Sequence, residues 1–180
     1  MAVLAVRCRG DGVLGTVAPL ALAAAAGSAL VVDLDPAGPR YPGAGSLAQL
    51  VADGPRRSDL HPEMNGVAVL RNGGVGPTDA AEVIAALVES WPRVVLRLPT
   101  GGGGDWPLVP VVPLLPGGLT EPSLRPAVYQ QIGWRLPAPG PALTLPMPSR
   151  ATVNALCEGR LPAGSSWIRR WRRVWELPWA

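Results

Sequence analysis

The 180-residue chain contains no lysine and no phenylalanine, and histidine occurs once, at His61. All 16 basic residues are therefore arginine. This excludes any site in which a lysine holds a phosphate. With one histidine and two distant cysteines, Cys8 and Cys157, no zinc site can be assembled from familiar ligand sets. The two thiols read as reduced structural cysteines of a cytosolic protein. Charge is also scarce, at 16% of residues, while apolar residues make up 48%. That balance argues against disorder, and the length suits one domain with its own core. The 22 glycines, 22 prolines and exclusive use of arginine share GC-rich codons, so part of the bias is genomic.

The net charge of +3 is unevenly placed. From Trp167 onward the chain carries Arg169, Arg170, Arg172 and Arg173 against Glu176 alone, and without that tail twelve basic residues face twelve acidic ones. A neutral body is a poor nucleic-acid surface, because phosphate binding needs concentrated positive charge. The tail is where a charged partner is expected.

Apolar runs separated by helical patterns give the architecture. Strands are expected at Ala2–Val6, Ala29–Leu34, Val67–Leu70, Arg93–Leu98 and Leu143–Leu145. Helices are expected at Thr16–Ala26, Ser46–Val51, Thr78–Ser90, Pro122–Ile132 and Ser149–Cys157. Thr78 is expected as N-cap of the third helix, with Asp79 as the alternative cap and Glu82 completing a capping box. "LVPVVPLL" is apolar, but Pro110 and Pro113 speak against a central strand. Alternating strands and helices predict an α/β fold with a mainly parallel sheet. The run "VLGTVAPLALAAAAGSALVV", behind Arg7 and Arg9, imitates an export signal or membrane span. Pro19 and the break at Gly27-Ser28 divide it into a helix and a strand, and this second reading is preferred.

Between the first strand and its helix lies "VRCRGDGVLGTV", the usual place for a phosphate-binding loop. The second strand ends in the acidic pair of "VVDLDP", and "VVLRLPTG" follows the third helix. In this order the motifs resemble the ParA/MinD group of P-loop ATPases, whose loop reads K-G-G-x-G-K-[ST]. The resemblance touches most of residues 2–162, including "LPMPSRATVNALCEGRLP", which is similar to a late proline-containing segment and helix of many members. It implies a shortened P-loop NTPase-like three-layer sandwich over residues 1–164, with ATP and Mg²⁺ as the family's cofactors. Gly12 falls on a motif glycine, Thr16 on the magnesium-binding hydroxyl, and Asp33 and Asp35 on the acidic pair.

The departures bear on chemistry. Gly10 stands where the signature lysine would be, or Arg9 if the loop is shifted by one. Gly15 takes the place of the phosphate-binding lysine, and Leu14 that of a glycine whose missing side chain lets N–H groups reach phosphate. Asp11 brings a carboxylate into the cradle, costing on the order of 4 kcal/mol at 4 Å from a phosphate charge. Arg97 replaces the aspartate that would organise Mg²⁺. A degenerate site without catalytic residues or cofactor is expected, in which Arg97 pairs with Asp33, Asp35 or Asp11. The alternative is a nucleotide-binding switch in which Arg9 or a second subunit supplies the missing cation. Members of that family often form a homodimer face to face across the nucleotide, and without that bridge a dimer here would need other contacts, which the sequence does not show.

Elsewhere the signals are structural. His61 reads as a solvated loop residue, Gly101–Gly104 with Asp105 as a connection rather than a phosphate nest, and Asn72–Gly76 as a turn. The tail over 165–180, "SSWIRRWRRVWELPWA", reads as an amphipathic helix capped by Ser165 or Ser166 and stopped by Pro178. Trp167, Ile168, Trp171, Val174 and Trp175 share one face, Arg169, Arg172, Arg173 and Glu176 the other, with Arg170 at the boundary. Such a helix packs on its own domain, lies on an anionic membrane as in MinD proteins, or meets a protein partner's groove or acidic nucleic acid. The expected function is a non-catalytic scaffold or localisation factor for a protein complex such as pilus or secretion machinery. It would act in the cytoplasm, with peripheral contact at the inner face of the plasma membrane as an option.

Overall fold

The computed structural model describes residues 2–42, 45–54, 66–116, 126–133, 135–138, 143–162 and 164–179. Seven strands, β1 (Ala2–Cys8), β2 (Ala29–Asp33), β3 (Val67–Leu70), β4 (Arg93–Arg97), β5 (Leu108–Leu114), β6 (Val128–Gln131) and β7 (Leu143–Leu145), form one all-parallel sheet in the order β3-β2-β4-β1-β5-β6-β7. Its helices are α1 (Gly12–Ala26), α2 (Leu47–Asp53), α3 (Ala81–Ser90), α4 (Arg150–Cys157) and α5 (Ser166–Arg170), followed by a 3-10 helix over Trp171–Glu176. The fold is α/β with helices on both sheet faces, consistent with a P-loop NTPase-like three-layer sandwich.

Strand alternation creates the two larger of the three buried clusters among the described residues. On β1, Leu4, Val6 and Cys8 face α1 and the C-terminal helices, whereas Ala5 faces α2 and α3 through Leu47, Ile84 and Leu87. Helix α1 carries no charge and is buried from Leu14 to Ala23 except at Gly15. It is covered twice, by the sheet below and by α4, α5 and the 3-10 helix above. An amphipathic pattern is therefore not required of it. The segment that imitates a membrane span owes its hydrophobicity to that position, and no described helix is long and apolar enough to cross a membrane.

Four expectations are corrected. Helix α1 begins at Gly12, four residues earlier than expected. Helix α3 begins at Ala81 with Ala80 as a cap that uses no side chain, because Gly76 to Ala80 is already turned, with Ala80 N–H bonded to the Gly76 carbonyl. The helix expected over Pro122–Ile132 is contradicted where it is described, since Val128–Gln131 is strand β6. Its polar Gln130 is buried because its amide bonds the carbonyls of Gln131 and Pro146 and accepts from Trp167 Nε1 at 3.0 Å.

"LVPVVPLL" does form a central strand, β5, between β1 and β6. In a parallel ladder successive residues direct their N–H and C=O groups to opposite neighbours. The Ala5 N–H bonds the Pro107 carbonyl, so 107, 109, 111 and 113 face β1 and 110 faces β6. Pairing with β1 ends at Cys8 opposite Val111, and pairing with β6 begins at Val111 opposite Val128. Pro113 thus faces β1 past its end, and Pro110 faces β6 before its start. Neither missing N–H removes a ladder bond.

Candidate functional site

The chain leaves β1 for α1 and β2 on one side and returns to β5 on the other. The switch in direction therefore lies at the carboxyl end of β1, where open α/β sheets place their ligand crevices. A cleft of about 470 Å³ opens there, lined among others by Gly10, Asp11, Gly15, Asp35, Gly38 and Arg97. Gly10 makes the turn out of β1 with φ of 78°. Asp11 is then the N-cap of α1, and its Oδ1 accepts the Leu14 N–H at 2.9 Å. Of the residues aligned with a phosphate loop, Gly10–Thr16, those from Gly12 onward are the start of α1. A helix start favours an anion. Here the chain's own carboxylate takes that position.

Thr16 is buried, and its hydroxyl donates to the Gly12 carbonyl at 2.8 Å. It is turned back onto the helix rather than presented as a metal ligand. At Gly15 a Cβ would stand 3.5 Å from the Cys8 Cβ, an ordinary contact, so the packing of α1 on β1 does not demand a glycine there. The Cys8 thiol is pushed up to about 12, first by burial and then by the Asp11 charge, so it stays protonated.

Arg97 closes β4 beside the ends of β1 and β2, opposite Asp33 in register. Arg97 is 2% exposed, and its guanidinium meets four groups. Nη1 lies 3.4 Å from Asp33 Oδ2 and donates to the Pro39 carbonyl at 2.7 Å. Nη2 lies 3.3 Å from Asp35 Oδ2. The guanidinium carbon sits 5.1 Å from the centre of the Tyr41 ring, whose hydroxyl donates to the Thr16 carbonyl. Asp35 Oδ1 accepts the N–H groups of Ala37 and Gly38, folding the segment after β2 over the arginine. Gly38 has no room for a side chain, because a Cβ would overlap Arg97 Nη2 and Asp35 Oδ2.

The structure brings Asp33, Asp35 and Arg97 together as expected and leaves Asp11 out of that cluster. Asp33 is nevertheless shifted upward, because burial outweighs the help of Arg97 and of the Asp35 N–H, while the Asp35 charge raises it further. Tyr41, Pro39 and Gly38 were not singled out in the sequence. The one available signal was an aromatic residue in the Gly/Pro-rich stretch after the acidic pair. Arg9 is exposed and lies outside the lining of the cleft. His61 lies outside the described residues.

No protein-family model matches this chain, and no curated protein matches it. The residues present do not fit ATP with Mg²⁺. Where the ParA/MinD resemblance would put metal and phosphate there stand a buried guanidinium, a hydroxyl bonded to its own helix, and a carboxylate that accepts the Leu14 N–H. Among the described residues no group of three or more histidines, cysteines, aspartates or glutamates could hold a metal ion. Gly102 bonds back to the Pro99 carbonyl and accepts from Arg7, so Gly101–Gly104 is a tied turn. Asn72 likewise braces its own loop, donating to the carbonyls of Asp33 and Val75.

At the tail the helix is α-helical only to Arg170 and 3-10 from Trp171. Ser165 caps it, with its Oγ accepting the Ile168 N–H. Trp167, Ile168, Trp171 and Val174 are buried against α1, and Trp175 donates from Nε1 to the Leu22 carbonyl. The tail's apolar face is thus packed on its own domain. Arg169, Arg170, Arg172 and Arg173 remain exposed.

Proposed function

We propose that this chain is a non-catalytic, ParA/MinD-like pseudo-ATPase that serves as a scaffold or localisation factor for a protein complex. The observation that carries this reading is the buried Arg97–Asp33–Asp35 cluster. It supplies from within the protein the cation and anions that a nucleotide site takes from Mg²⁺ and phosphate. Asp11 on the first turn of α1 completes the replacement. With Arg97 held between two carboxylates and Asp11 bonded to α1, these groups are engaged without a ligand, so recognition passes to the surface. The four exposed tail arginines are the main cationic part of that surface. They would meet an acidic protein partner or, at the inner face of the plasma membrane, anionic headgroups, while their apolar neighbours stay packed in the core. By analogy with atypical family members, pilus-assembly or secretion machinery is the class of complex proposed.

Equilibrium binding of a fluorescent ATP or ADP analogue, with and without Mg²⁺, tests this directly. No saturable binding up to millimolar nucleotide is expected. Micromolar, Mg²⁺-dependent binding would replace the pseudo-ATPase with the nucleotide switch.

A further inference from the structure

The two helical layers carry opposite charge. The layer of α1, α4, α5 and the 3-10 helix presents Arg150, Arg160, Arg169, Arg170, Arg172 and Arg173 against Glu158 and Glu176, all exposed. The layer of α2 and α3, with the turn before α3, presents Asp53, Asp79, Glu82 and Glu89 and no basic residue over 46–54 and 76–90. These four acids are exposed, and none is in an ion pair among the described residues. Among the described residues, Arg160 alone on the basic side is ion-paired, with Glu158. The segment 55–65, outside the described residues, sets Arg56 and Arg57 against Asp59 and Glu63 and is formally neutral. The two layers belong to separate cores on opposite faces of the sheet, so the basic and acidic surfaces point away from each other.

Charges on opposite faces of one rigid sheet cannot neutralise each other within the molecule. Two copies stacked in the same orientation can. We propose that this chain associates with itself head to tail, the arginine-bearing α5/3-10 layer of one copy lying on the acidic α2/α3 layer of the next. The arginines are well placed for this, because Trp167, Trp171 and Val174 fix their helices to α1. A guanidinium fork on a fixed backbone loses less freedom when it takes a carboxylate. The contact is heterologous, so it leaves a free face of each sign at the ends and extends to short open chains. Being made of exposed charges, it is weak and salt-sensitive.

Sedimentation velocity on the full chain tests this with two charge-reversed variants, R170E/R173E and E82R/E89R. These sites are exposed, and unchanged circular dichroism and melting temperature would show that each variant folds. For the wild type, the mass-average sedimentation coefficient should rise with concentration at low ionic strength and return to the monomer value near about 0.5 M salt, where the Debye length falls to roughly 4 Å. Each variant alone should stay monomeric, and an equimolar mixture should associate, because the mixture retains one native pairing of basic with acidic face. A monomeric wild type at low salt overturns the inference, including one that instead co-sediments with anionic vesicles. So does association that survives either reversal, or a mixture that remains monomeric.

Discussion

Arg97 is stabilising only as part of its set. Removing one member of a buried ion pair leaves the other charge uncompensated, at a cost of about 3–5 kcal/mol. Arg97→Ala should therefore lower the urea-unfolding free energy by that amount, and Asp33→Asn in the same chain should recover part of the loss. Gly38→Ala tests the same cluster sterically, since its methyl must displace both Arg97 and Asp35. A loss of about 1–3 kcal/mol is expected from overpacking. Asp33 also gives the protein a pH dependence of definite sign. Its folded value lies above 3.8, so between the unfolded and folded values the native state binds the extra proton. The contribution is fully present below the unfolded value and is lost as pH rises through the folded one. Unfolding free energies of Asp33→Asn should lack this fall with pH, relative to the wild type. The cysteines divide by environment: Cys157 is exposed and should react with a thiol reagent in the native state, whereas Cys8 should react only on unfolding.

Among the elements, α1 and the C-terminal helices form one unit. Trp171 is wholly buried between them and meets Trp167 edge to face at 5.6 Å. Trp171→Ala should cost about 3–5 kcal/mol, read from urea unfolding, and loosen the covering of α1. Element existence was legible wherever the hydrophobic period was clean, as in β1 to β4 and α3. It failed where polar or proline residues were paid for by partners far along the chain. Gln130 reads as a poor strand residue until Pro146 and Trp167 are known to satisfy it. The prolines of β5 read as breakers until the ends of β1 and β6 are known. The helix start at Gly12 was hidden by the loop motif, which made Asp11 look like an intruder among glycines rather than an N-cap.

At the scale of the whole molecule, the parallel three-layer order followed from alternating strand and helix patterns, and the pairing of Arg97 with Asp33, Asp35 or Asp11 was expected from the family resemblance, of which the structure shows the first two. The cage around the arginine was not expected, because Pro39 and Tyr41 act through a carbonyl and a ring face that carry no motif. Charge segregation was legible only in part. The sequence isolates the arginine tail, but that its counterpart lies across the sheet depends on which face each helix covers. Net charge alone would suggest a uniformly weak cation, whereas the helices on the two sheet faces carry opposite charge.

The two prolines of β5 have a consequence beyond their tolerance. Slip of a parallel strand by one residue turns its side chains to the wrong face. Slip by two preserves the faces, so side-chain packing guards against it less. In β5 that second error carries a penalty in either direction. Moving the strand so that Pro113 takes the place of Val111 would leave the Arg7 carbonyl without its donor, and moving it so that Pro110 takes the place of Val112 would break the ladder to β6. Residues that look like strand breakers thus act as stops at either end of one permitted alignment.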